Sequence, residues 1–393
     1  MAVSDRPRVL IGFAESLAAI ESAWCLRDAG FDVVAFSRAG RRPPLASARS
    51  VRVLPVPAPE TDVAASVAAI EALVASERPV AVLPLDDAAL LLCDRLATTV
   101  PLAAPTGAQV LLALDKREQV ELAEKAGFAV PRTTLAHAGS SGEPPPGDGP
   151  WMVKCALAAV ERDGRLSRPA GAVAARPDEV RTIADRLGAP ALVQPLLDGV
   201  GEGLFGFAAG GDILALSAHR RVRMMNPRGS GSSACRSVDV DPEVVAAVRR
   251  FLTGAGWHGI FMIELLRDRA GRPWFIELNG RAWGSMALAR RRGLPYPEWA
   301  VRAALDPDWR PPPPPDAPHL VCRHLGREMV HLLAVLRGAR GADAGRWPSR
   351  GATLRDMLRP ARDTRWYHAR RGESVVLARD TWATVTAQVR RRV

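Results

Sequence analysis

The chain has 393 residues, 48% of them hydrophobic and 24% charged, and a net charge of +11. It is long enough for a substantial core and two or three domains, and its composition excludes a disordered, collagenous or coiled-coil protein. No run of 18 apolar residues is free of charge, so no membrane-spanning helix is expected.

The N-terminus leads directly into the strand-like Val9-Leu10-Ile11, without the apolar region and cleavage site of a signal peptide. Five scattered cysteines (Cys25, Cys93, Cys155, Cys235 and Cys322) form no CxxC. They argue against a disulfide framework or a cysteine-based zinc site and for a reducing, cytoplasmic setting. The charge is concentrated: residues 319–393 carry 16 Arg and no Lys against six acidic residues, a balance of +10, which leaves residues 1–318 at +1. A near-neutral body without a recognised nucleic-acid module argues against nucleic acid as partner. The tail arginines suit an acidic partner, an anionic surface, or a solvated face over a packed Val330–Leu336, and the last is the reading preferred. Lysine occurs only at Lys116, Lys125 and Lys154, which singles these out where a compact point charge is needed.

In chain order, apolar runs at Arg8–Phe13, Asp32–Phe36, Val51–Leu54 and Pro79–Leu85 alternate with helical periodicity at Glu15–Ala29, Val63–Ser76 and Ala88–Leu96. That alternation predicts a parallel-sheet α/β unit. Gly12 follows the first strand without a G-x-G-x-x-G, so a dinucleotide site is not expected. Asp86-Asp87 follow the fourth strand, where a helix N-cap is expected and a ligand-facing role is the alternative. Residues 107–128 read as one helix, closed by Gly127 with Pro131 beyond. Trp151–Cys155 and Ala191–Leu196 read as strands, and 203–218 and 257–281 as antiparallel ones. Pro311–Pro315 is a stiff spacer closing the main body.

The segment Gly259–Arg281 is the richest in chemistry. Glu277, Asn279 and Arg281 are spaced by two, so a strand places them on one face, with Ile276 and Leu278 on the other. If Ala270-Gly271 form the turn of a hairpin, Glu264 lies directly opposite Glu277. Two facing carboxylates repel, and a divalent cation between them removes the conflict. Two glutamates and an asparagine carbonyl are hard oxygen ligands suited to magnesium shared with phosphates. The competing reading pairs both glutamates with arginines on a solvated face; the apolar neighbours favour the metal. Lys154 interrupts an apolar strand and needs an anion, which a phosphate or an internal carboxylate would satisfy. Lys116 lies on a helix, where a solvated surface lysine is the commoner reading. The Gly/Ser loop Asn226–Ser233 offers donors to an anion through Gly231, Ser232 and Ser233. His219, Arg220, Arg221 and Arg223, on the run before it, suit a carboxylate site or a solvated edge.

In order, these pieces resemble the ATP-grasp superfamily over residues 8–305. The resemblance implies an α/β pre-domain (1–107), a small lid subdomain (108–192) and a large subdomain carrying the metal and catalytic residues (193–310). A Pro-rich linker (311–318) and a basic C-terminal extension (319–393) follow. It further implies that Lys116 and Lys154 contact ATP phosphates, that the hinge Gln194-Pro195-Leu196-Leu197 reads the adenine, and that Glu202 holds the ribose. Glu264, Glu277 and Asn279 are implied to hold Mg2+ (or Mn2+), and Arg281 to stabilise the acyl phosphate or tetrahedral intermediate. The usual glycine-rich lid is missing: the segment after Lys154 holds only Gly164 and Gly171, and no lid residues are assigned.

The activity implied is an ADP-forming ligase that activates a small carboxylic or amino acid as an acyl phosphate and passes it to an amine, with Arg281 and the Ser230–Ser233 loop as donors to developing charge and Arg223 among the substrate residues. No catalytic base stands out, and positioning is expected to do most of the work. A homodimer is common among such proteins. The alternatives are a carboxylase-like or thiol-directed ligase, and an anion-binding interaction protein acting through its tail.

Overall fold

The computed structural model describes residues 6–139, 145, 147–227, 229, 231–338, 347–359 and 361–390. The first unit is the expected parallel sheet. Strands β1 (Arg8–Gly12), β2 (Asp32–Arg38), β3 (Val51–Val56) and β4 (Ala81–Pro84) lie in the order β3-β2-β1-β4, all parallel. Their apolar runs are continuous because both faces are covered. Val9, Ile11, Val33 and Ala35 pack with Trp24 and Trp299, while Leu10, Val34 and Phe36 pack with Ile70 and Val74.

The second unit contains β5 (Thr134–Ala136), β6 (Trp151–Cys155), a small hairpin of β7 (Val160–Arg162) and β8 (Arg165–Ser167), β9 (Ala172–Ala174) and β10 (Ala191–Pro195). Its sheet order is β5-β10-β6-β9, antiparallel. The amphipathic helix Pro177–Leu187 covers one face, with Val180, Ile183 and Leu187 against Trp151, Val153 and Val193. Alternation sends Met152 and Lys154 to the other face.

The third unit is a seven-stranded sheet in the order β15-β14-β11-β12-β13-β16-β17. Its strands are β11 (Gly199–Ala209), β12 (Asp212–Met224), β13 (Ser232–Val238), β14 (Gly259–Asp268), β15 (Pro273–Asn279), β16 (Val321–Arg323) and β17 (Thr364–Trp366). One face packs on the helix Pro242–Gly254 through Leu204, Phe251, Ile263, Phe275 and Leu278. On the other, Phe205, Phe207 and Met262 pack with Trp283, Tyr296 and Trp299 and join the core of the first unit.

Two expectations need correction. The single helix over 107–128 is two, Ala108–Leu114 and Lys116–Lys125, broken at Asp115, whose extended backbone lets its side chain accept from the amides of Arg117 and Glu118. The break is tertiary in origin: Asp115 bridges to Leu157, and the Lys116 amide donates to the Ala156 carbonyl at 2.7 Å. The polyproline run, moreover, does not end the main body. β16 and β17 complete the large sheet beyond it, and Val376 joins the core shared with the first unit. Of the Val330–Leu336 face, Val330, Ala334 and Val335 are buried as expected, but Arg323 is buried with them.

Candidate active site

The β14–β15 hairpin sets the geometry. Met262 pairs with Asn279, Ile263 with Leu278 and Glu264 with Glu277. The two carboxylates therefore face each other, but the turn that brings them there is not the two-residue one expected. The Asp268 amide donates to the Arg272 carbonyl, leaving a three-residue turn, Arg269-Ala270-Gly271, with Gly271 at φ +85°. A β-bulge then leaves Ile276 unpaired and restores the register at Glu277. The bulge also explains why Phe275 and Leu278, rather than Ile276 and Leu278, enter the core.

Around Glu277 three cations converge. Lys116 Nζ is 3.0 Å from Glu277 Oε2, Lys154 Nζ donates to the Ile276 carbonyl at 3.3 Å, and Arg281 lies four residues along. Burial alone would push the Glu277 carboxyl up; Lys116, Lys154 and Arg281 outweigh it and hold it at about 2. Burial, with Lys116 adding repulsion, pulls Lys154 down to about 8. Arg281 is gripped by Asp87 (Nε–Oδ1 2.8 Å, Nη2–Oδ2 3.3 Å), and Arg168 pairs with the same carboxylate. Asp86 is the N-cap of the helix Asp87–Cys93, accepting from the Ala89 amide at 2.8 Å. Arg221 pairs with Glu264, and the Asn279 amide donates to Glu277 Oε1 at 3.5 Å.

Two cavities meet here. The smaller, about 370 Å³, is lined by Lys116, Lys154, Arg168 and Gln119. The larger, about 800 Å³, is lined by Glu264, His219, Arg221, Gly231, Ser232 and Arg327 among others. Glu277, Asn279 and Arg281 border both.

Other expected site residues lie elsewhere. Glu202 is on the opposite face of β11 from Gly203, the residue paired with Glu264; it is 4% exposed, and both its oxygens are held by Arg220 (2.8 Å) and Arg267 (2.9 Å). A one-residue difference reverses the face of a strand, so this carboxylate, which the resemblance implies for the ribose, faces away from Glu264 and is paired with two arginines. Arg223 and Ser233 are committed to the fully buried Glu328, which Arg323 also holds. Both, expected at the substrate, thus have an internal partner in this structure. Gln194 donates to Thr133 Oγ1 at 2.8 Å, Pro195 ends β10, and Leu196 and Leu197 lie between it and β11; none of the four lines either cavity.

Several contributing residues escaped the sequence reading. Gln119, 1% exposed, donates to the Ala113 (3.0 Å) and Leu278 (3.1 Å) carbonyls and accepts from the Leu278 amide (2.8 Å), fastening the helix of Lys116 to β15. A glutamine in LLALDKREQ gives no such signal. Arg168 and the tail residues Arg327, Tyr367, His368 and Asp380 reach the cavities only through tertiary contacts.

The description "ATP-grasp in the biosynthetic pathway with Ter operon" belongs to a family model that matches residues 210–324, a span including Glu264, Glu277, Asn279 and Arg281. Among solved structures, an L-amino acid ligase from Bacillus licheniformis superposes with a TM-score of 0.60 at 16% identity, over 78% of this chain and 75% of that one. A biotin carboxylase from Campylobacter jejuni gives 0.58 at 14%, over 80% and 74%. An N5-carboxyaminoimidazole synthetase from Staphylococcus aureus gives 0.56 at 13%, over 81% of each. No curated protein matches by sequence. The fold is the ATP-grasp fold, and within it residues 210–324 match an ATP-grasp family model. Among the described residues no helix is long and apolar enough to cross a membrane.

Proposed function

We propose that this chain is an ATP-dependent, ADP-forming ligase that joins a small carboxylic or amino acid to an amine. The observation that supports it best is the shared wall of Glu277, Asn279 and Arg281 between the lysine-lined cavity and the larger one. A phosphoryl donor on one side and an acceptor on the other would meet at these side chains, with Arg168 bordering both cavities as well.

Glu264, Glu277 and Asn279 fit Mg2+ or Mn2+, since two paired carboxylates and an amide oxygen are hard donors. Such an ion, when bound, neutralises phosphate oxygens. Lys116 and Lys154 would exchange their present partners, Glu277 and the Ile276 carbonyl, for phosphates, and the backbone of Gln194–Leu197 would meet the base. Arg281, oriented by Asp87, would stabilise the negative charge that builds on the carboxylate as it becomes an acyl phosphate, and again as the amine adds to it.

The test is ADP and phosphate release from Mg-ATP with amino acids and small carboxylates, singly and in pairs, beside Glu277→Gln. Release that needs an acid and an amine together, and disappears in the variant, is the expected result. No ATP binding by the wild type would overturn the reading. The superposed structures include carboxylases as well as an amino acid ligase; bicarbonate-dependent release with no amine requirement would favour a carboxylase-like reaction instead.

A further inference from the structure

The larger cavity has a wall that comes from beyond the polyproline run. Arg327, in the first turn of the helix Leu325–Arg337, lines it together with Tyr367, His368 and Asp380. The Arg327 guanidinium is half-buried, and its Nη1 donates to the Ser232 carbonyl at 2.9 Å. No carboxylate among the described residues lies within ion-pair distance of it. Asp380 is occupied elsewhere: its Oδ2 is 3.2 Å from His324 Nε2 and 3.0 Å from His368 Nδ1, both histidines being 1% exposed. His324 Nδ1 accepts from the Arg327 amide at 3.4 Å, which places the proton of a neutral ring on Nε2, the atom nearer Asp380.

Burial chiefly, and the like charge of Arg221 in the same cavity to a smaller extent, disfavour the charge on Arg327, while Asp380 attracts it from beyond ion-pair distance. Arg221 is paired with Glu264, so of these two arginines it is Arg327 that lacks a carboxylate. A guanidinium withdrawn from bulk water, beside another and with no carboxylate in direct contact, gains when an anion arrives. The backbone allows close approach: a side chain at Gly231 would put its Cβ 2.8 Å from Arg327 Nη1. Arginine's planar fork matches a carboxylate or phosphate through two parallel hydrogen bonds.

We propose that Arg327 is the receptor for an oxyanion, a carboxylate or phosphate group, on the small molecule that fills the larger cavity. Within the ligase reading, on which this clause rests, that group is distinct from the carboxylate being activated at Arg281. The substrate is then a dicarboxylic acid, a phosphorylated acid, or an amino acid whose own carboxylate is anchored while its amine reacts.

The experiment measures melting temperature at fixed ionic strength for wild type, Arg327→Met and Lys154→Met, with succinate or inorganic phosphate added. Without additive, Arg327→Met is expected to melt no lower than wild type, because it removes an uncompensated charge while keeping an apolar side chain of similar reach. At least one anion should raise the wild-type melting temperature, with apparent affinity at least tenfold weaker in Arg327→Met and retained in Lys154→Met. Which anion acts identifies the carboxylate or phosphate class. Melting of Arg327→Met several degrees below wild type, no stabilisation of wild type by either anion, or equal stabilisation of wild type and Arg327→Met overturns the proposal. ATP binding measured in parallel separates its failure from that of the ligase reading: Arg327→Met should bind ATP as wild type does.

Discussion

The ammonium of Lys154 stands 3.3 Å from the carbonyl oxygen of Ile276, the residue that the β-bulge leaves outside the hairpin register. The extra residue restores Glu277 to its place opposite Glu264 and also frees a carbonyl to receive the lysine. A neutral carbonyl is a weak partner for an enclosed cation, and burial pulls Lys154 down to about 8. Glu277 offsets this only in part.

Lys154→Met should therefore stabilise the ligand-free protein at pH 7, by ~1–3 kcal/mol, since a pKa unit corresponds to about 1.4 kcal/mol. The sign follows from linkage: between pH 8 and the usual lysine value the unfolded chain binds more protons than the folded one, so wild-type stability rises with pH there. Denaturant titrations at pH 7 and 10 check this, with the gap between wild type and variant narrowing at pH 10. The same variant should lose nucleotide affinity, measured by calorimetry.

Glu277→Gln should behave oppositely. Its carboxylate compensates Lys116, Lys154 and Arg281, and removing a charge from a buried set leaves partners unpaired, at a cost on the order of 3 kcal/mol. Because the folded pKa is depressed to about 2 from 4.5, this contribution is fully present above pH 4.5 and is lost as pH falls toward 2. Acid unfolding should thus show a wild-type advantage that vanishes at the acid end.

Glu202→Gln should lower stability by about 1–3 kcal/mol through Arg220 and Arg267. ATP affinity should stay within twofold of wild type, because the carboxylate lies on the sheet face away from Glu264. A tenfold loss of affinity at unchanged folding would restore a role at the nucleotide.

Asp87→Asn should leave ATP affinity nearly intact and lower turnover through Arg281. A double-mutant cycle with Arg281→Lys should give a coupling of about 0.5–3 kcal/mol, as for residues in direct contact. Turnover effects that simply add would mean that Asp87 does not position Arg281.

Much of this architecture was legible from residue order. The parallel sheet followed from continuous apolar runs alternating with helical ones, because burial on both faces requires them. The pairing of Glu264 with Glu277 followed from strand period and an approximate turn, although the turn was one residue longer and a bulge compensated for it. Lys116 and Lys154 stood out in a chain whose other cations are nearly all arginine.

What pattern could not decide was which side chains share a space when their separation in sequence is large. Asp87 meets Arg281 across 194 positions, and Gln119 reaches Leu278 across 159; no local period encodes either. The face of Glu202 depended on strand parity, which the spacing rule for a family does not fix. The tail read as packed through Val330–Leu336 with its arginines solvated, because charge count carries no direction. Only the pairing of β16 with β13 and the packing of the last helix turned Arg323 and Arg327 inward, toward Glu328 and the cavity. Local order and periodicity thus specify elements and faces, whereas the convergence of charges is a property of the folded chain, where distances in space replace distances along the sequence.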